Sequence, residues 1–229
     1  MTTLTSRNEI VKKNKIIGSE LTKIQRAFYD EDILQYYKDD NEEHFYWEQF
    51  DFYDGGIINY ETYNKIIGLK HSDIKTFTDE LTKKLVELFH KVCATEFYLI
   101  THLKLDFFGN RENKFNPLVN SYEKLEKIIG QKTYKEAFKF SINSLPDFIE
   151  ILFWITRSDP SVPEFIFLFD QNERFQINLC KYGNIHVTEF KEEKLTNEIL
   201  TSLGWNIIEG EEFDNFTEDG KIKGRKLKI

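Results

Sequence analysis

FIFLFDQNERFQINLCKYGNIHVTEF, residues 165–190, reads as three consecutive antiparallel strands. Phe165 to Phe169 is an unbroken apolar run, the pattern of a strand buried on both faces. Asp170-Gln171-Asn172-Glu173 is a cluster of turn formers, after which Phe175 to Cys180 resumes with period two. Tyr182-Gly183-Asn184 turns the chain again into Ile185 to Phe190. Outward from this meander, Phe97 to Leu105 also alternates, with Phe97, Leu99, Thr101, Leu103 and Leu105 on one face, and is a fourth strand.

Helical spacing marks the remaining elements. Ile74, Phe77, Leu81, Leu85, Leu88 and Val92 form one stripe, predicting a helix over Ser72–Ala94. Ser144–Arg157 carries Pro146 in its first turn and is apolar almost all round, so it is expected to lie deeply buried against the sheet. Shorter helices are expected over Asn59–Ile67 (stopped by Gly68), Ser121–Ile129 (stopped by Gly130) and Lys194–Leu203 (stopped by Gly204). Glu9–Tyr29 reads as a helix interrupted at Gly18. Helices and strands come in mixed runs rather than strict βαβ alternation, so the predicted fold class is α+β. We expect an antiparallel sheet of about four or five strands with helices packed on at least one face.

Twenty-one Phe and eleven Tyr in 229 residues stock a single large core, and no Pro- or Ser-rich linker divides the chain. One domain spanning 1–229 is expected, with the basic ends 1–16 and 221–229 as mobile segments. Tyr60-Glu61-x-x-x-Lys65-Ile66-Ile67-Gly68 matches Tyr122-Glu123-x-x-x-Lys127-Ile128-Ile129-Gly130, and Lys15-Ile16-Ile17-Gly18 echoes its centre. The unequal intervals and unmatched flanks argue for recurring helix ends rather than a duplicated unit. Two cysteines, no apolar leader and no long apolar run point to a reducing cytoplasm.

The formal net charge of −8 hides a basic +3 over residues 1–16, a basic +5 over 221–229, and −16 between them. An acidic body lacks the footprint that a phosphate backbone requires, so no nucleic-acid partner and no membrane partner is expected. Asp30 to Glu61 concentrates the charge, with eleven carboxylates against Lys38, interleaved with nine aromatic rings. Rings in a field of one sign suit docking: they supply hot-spot area while carboxylates speed encounter with a basic protein. The competing reading sends the rings into the core and leaves the carboxylates in water. The candidate partner-binding residues are the rings Tyr36, Tyr37, Tyr46, Trp47 and Tyr53 with the carboxylates Asp39, Asp40, Glu42, Glu43, Asp51 and Asp54.

Motifs for chemistry are scarce. The chain has no G-x-S-x-G elbow, H-E-x-x-H, P-loop or G-x-G-x-x-G. Asp30-Glu31-Asp32 and Asp214 to Gly220 lack the ligand spacing of a calcium loop. His90-x-x-Cys93 and Cys180-x5-His186 are two candidate pairs of zinc ligands. However, His90 falls on the exposed face of its helix, and the second pair straddles a turn without usual zinc spacing. No metal and no cofactor is expected. His102 shares a strand face with Tyr98, Ile100 and Lys104 and is read as partly wet. The expected function is a non-catalytic acidic protein-binding module, an inhibitor or immunity-type protein that sequesters a basic protein. The alternative is a hydrolase or nuclease-like enzyme assembled from distant segments, with His44, His186, Asp159 and Arg157 as candidates.

Overall fold

A computed structural model describes residues 2–71, 73–218, 220 and 222. The chain begins with strand β1 (Thr2–Thr5) and helices α1 (Arg7–Lys13), α2 (Lys15–Ala27), α3 (Glu31–Asp39) and α4 (Glu43–Trp47). Strand β2 (Thr62–Gly68), α5 (Phe77–Lys91), β3 (Glu96–Thr101), α6 (Asn116–Ile129) and β4 (Ala137–Ser141) follow. Next come α7 (Leu145–Ser158), β5 (Ile166–Asp170), β6 (Phe175–Leu179), β7 (Ile185–Phe190), α8 (Asn197–Ser202) and β8 (Asn206–Ile207).

All five residues of β5 are buried, because the strand lies inside the sheet with a core on either side. Ile166 and Leu168 join the larger core with α5, α6 and α7, whereas Phe167 and Phe169 join a smaller one with α1 and α2. The sheet is antiparallel throughout, in the order β1-β4-β3-β5-β6-β7-β2-β8. The expected α+β class, antiparallel pairing and helical cover are all present. The sheet has eight strands, not four or five.

The four additional strands sit where sequence signals were weak. Thr62–Gly68 is a strand paired with β7 over Thr62↔Phe190 to Ile67↔Ile185, and not the helix expected over Asn59–Ile67. Its β-branched and aromatic residues (Thr62, Tyr63, Ile66, Ile67) suit a pleated surface. The Lys-Ile-Ile-Gly repeat therefore takes three settings: the start of α2, the end of β2 and the end of α6. Neighbours, not the motif, choose its conformation. Residues 2–5 were expected in a mobile basic end but form β1, hydrogen-bonded to β4 from Thr2↔Phe140 to Thr5↔Ala137. Apart from Ile222, the 221–229 tail lies outside the described residues.

Helix boundaries also shift for identifiable reasons. The break in the first helical segment falls at Asn14, whose φ of −118° and ψ of 99° are extended, rather than at Gly18. Gly18 lies inside α2 and lets the Tyr53 ring approach so closely that a Cβ would sit 2.9 Å from it. Pro117 in the first turn starts α6 at Asn116, before the Ser121 start expected from the sequence. α7 is as deeply buried as its sequence implies, packed between α5 and α6 over β6.

Candidate functional site

α3 is held at its start by Asp30, whose carboxylate accepts from the Asp32 and Ile33 amides at 2.9 and 3.0 Å. Glu31 and Asp32 in the first turn complement the helix dipole. α3 and α4 then fold around Tyr46. Its hydroxyl accepts from the Asp30 amide at 2.8 Å and donates to the Asp30 carbonyl at 3.1 Å. Rings spread outward from this buried keystone: Tyr29, Tyr37, Trp47 and Phe50 all lie within 6.2 Å of Tyr46, centroid to centroid. Trp47 is fixed further by donating from Nε1 to Glu43 at 2.9 Å.

The eleven candidate residues divide by environment. Tyr36, Asp39, Asp40, Glu42 and Asp54 are exposed. Tyr37, Glu43, Trp47 and Tyr53 are half-buried, Tyr53 against α2. Tyr46 is buried. Asp51 is spent on the fold, because Arg7 donates to its two carboxylate oxygens at 2.9 and 2.6 Å, and Gln25 donates at 2.7 Å. Phe45 and Phe52, 48% and 69% exposed, extend the aromatic surface beyond the residues expected. Trp47, Phe50, Phe52, Glu48 and Asp54 line one side of an open cleft of about 740 Å³ against the start of α1.

A second site lies on the same face of the sheet. Along β6 and β7, Phe175, Ile177, Leu179, Ile185 and Val187 feed the larger core. The alternate residues Asn178 and His186, with Cys180 after β6, face the other way, beyond the reach of α1 and α2. They line an open pocket of about 730 Å³ with Phe28, His102, Phe165 and the Pro160–Glu164 segment. Glu212 closes one side. It accepts from the Cys180 thiol at 3.0 Å and from Asn184 Nδ2 at 2.8 Å, and its other oxygen lies 3.1 Å from His186 Nε2. Burial, followed by the Glu212 carboxylate, pushes the Cys180 thiol up to about 12.

Glu212 had no signal in the spacing of the chain. β8 pairs with β2, which lies beside β7, and so returns the acidic loop to His186. Asp214, two residues on, anchors that loop through two 2.9 Å bonds from Arg157, whose Nη1 also donates to the Lys181 carbonyl at 3.1 Å. The four enzyme candidates are not brought together. Arg157 clamps two loops, and Asp159 accepts from Tyr122 Oη and from the Asn110 and Ser161 amides. His44 lines the other cleft; only His186 lines this pocket. His102, expected to be partly wet, is 2% exposed and lies 4.4 Å from the Phe28 ring. Burial foremost, with a contribution from Arg7, lowers its pKa to about 4. His90 and Cys93 are exposed and gather no third ligand among the described residues.

No helix among the described residues is long and apolar enough to cross a membrane. Comparisons with protein-family models, with curated proteins and with solved structures find no match, so the sites are read from their own geometry.

Proposed function

We propose that the protein is a non-catalytic acidic binding module of inhibitor or immunity type, which sequesters a basic protein through α3, α4 and the segment that follows them. One observation carries the reading. Exposed rings (Tyr36, Phe45, Phe52) stand among exposed carboxylates (Asp39, Asp40, Glu42, Asp54) on a scaffold fixed by the buried Tyr46. Exposed rings supply apolar area for affinity, and the helices carrying them are ordered before binding by the Tyr46 cluster. The surrounding negative field raises the encounter rate with a cationic surface and is screened by salt.

The test is capture from the native cell with the full chain, run beside a variant carrying Tyr36→Ala, Asp39→Lys, Asp40→Lys and Glu42→Lys. We expect a basic protein to be retained at low salt, released at high salt, and lost by the variant. A control reversing Glu80 and Glu87 on α5 should retain it. Capture of no basic protein, or equal capture by the variant, refutes the proposal.

A further inference from the structure

We propose that Cys180, His186 and Glu212 form a binding site for a zinc-type divalent cation, with an open coordination position facing the pocket. This goes beyond the docking surface and is independent of it. One thiol, one imidazole and one carboxylate bring their ligand atoms within 4.8 Å of one another, and no other group of three or more such residues converges this way among the described residues. Ligands at about 2.0–2.3 Å from a tetrahedral ion stand roughly 3.3–3.5 Å apart. The Cys180–Glu212 and His186–Glu212 contacts of 3.0 and 3.1 Å reach different carboxylate oxygens, Oε2 and Oε1, and the three ligand atoms lie within 4.8 Å of one another, so an ion enters once the side chains rotate to face it.

The donor set selects the ion. A sulfur and an imidazole nitrogen disfavour calcium and magnesium, which take oxygen ligands, and favour zinc or cobalt. Three protein ligands beside an open pocket leave the fourth position to water or to a ligand held in the pocket that Phe165 and Tyr182 help to line. The surroundings are those of a prepared site. Asn184 orients the carboxylate from behind, as an outer-shell partner does. Arg157 ties the loop carrying Glu212, through Asp214, to the turn carrying Cys180, through the Lys181 carbonyl. The turn after β6 that carries Cys180 and the loop after β8 that carries Glu212 are thus tied together without the ion.

Binding replaces the thiol S–H bond with a sulfur–metal bond and releases that proton to solvent, with no change of oxidation state. Cobalt adds a thiolate charge-transfer band that reports directly on sulfur ligation.

The experiment uses the full chain stripped with a chelator and titrated with zinc or cobalt, reading stoichiometry, proton release and the cobalt spectrum. We expect one ion per chain, a charge-transfer band, and retention of both in Cys93→Ser. Cys180→Ser should abolish the band. Cys180→Ser and His186→Gln should each weaken binding by more than the roughly 10–100-fold expected for Asn184→Ala, which removes only an outer-shell partner. Should one ligand variant fail to fold in chelator, the other decides. Failure to take up one equivalent, a band that survives Cys180→Ser, or a band lost in Cys93→Ser overturns the assignment.

Discussion

Arg7→Met should be among the most damaging single substitutions in this protein. The Arg7 side chain is 1% exposed and that of Asp51 is 6%, so their ion pair is a buried one. Exposed pairs contribute about 0–1 kcal/mol, whereas removing one partner of a buried pair costs about 3–5 kcal/mol because the other charge is stranded. Arg7 also donates to Thr101 Oγ1 at 2.8 Å, and Asp51 would retain only Gln25 as a side-chain donor. We expect a loss of about 3–5 kcal/mol, which for a chain of this length lowers Tm by about 6–20 °C. Arg7→Met with Asp51→Asn removes both charges, so the double variant should lose at least about 2 kcal/mol less than the sum of the single losses. Urea unfolding of the four proteins closes the cycle, provided the m values agree. A loss below about 1 kcal/mol for Arg7→Met, or strict additivity, would refute the view that a desolvated charge pair pins the acidic segment to α1.

Two further outcomes follow from the core. His102 titrates near 4 when folded and near 6.5 when unfolded, so between those values the unfolded chain binds a proton that the native one does not. Its contribution is complete above about pH 6.5 and is lost as pH drops through the window, the loss reaching about 3 kcal/mol by pH 4. Urea midpoints should therefore show a steeper acid loss for wild type than for His102→Gln; parallel profiles would exclude the buried imidazole as the cause. Gly183, at φ +86°, closes the β6–β7 turn, and a Cβ there would meet the Phe77 ring at 2.8 Å. Gly183→Ala should cost about 2–4 kcal/mol from the left-handed backbone and the displaced ring together, and an unchanged denaturation midpoint would count against both.

The legible parts of the sequence were those where one period dominates and punctuation agrees with it. β5, β6 and β7 were readable because an apolar run and two alternating runs are bounded by Asp170-Gln171-Asn172-Glu173 and Tyr182-Gly183-Asn184. α5 was readable from its stripe. β2 was not, because Ile66-Ile67-Gly68 imitates a helix end and only pairing with β7 distinguishes the two. β1 and β8, four and two residues long, have too few alternations to reveal a period. Composition flagged the acidic segment, but the direction of each ring was hidden, since the exposed Tyr36 and buried Tyr46 look alike in sequence. Asp51 counted as surface charge until Arg7, 44 residues away, was seen to hold it. Cys180 and His186 were noticed as a pair, while Glu212 joins them only through the β2–β8 pairing.

The proposed cation site follows from the unequal cover of the two sheet faces. α5, α6, α7 and α8 seal one face with a continuous apolar core. On the other, α1 and α2 cover Ile100, Phe167, Phe169 and Phe190 but leave Asn178, His186 and Thr188 beyond their reach. The sequence anticipates this division: β6 and β7 keep Ile, Leu and Val on the sealed side and change to Asn, His and Thr on the open one. A face abandoned only for want of a helix would need no more than polar residues for solubility. Cys180 is not such a residue, and its thiol donates to a carboxylate that also faces His186. Sulfur, imidazole and carboxylate ligand atoms within 4.8 Å of one another are more than solubility requires, and the proposed cation would use all three.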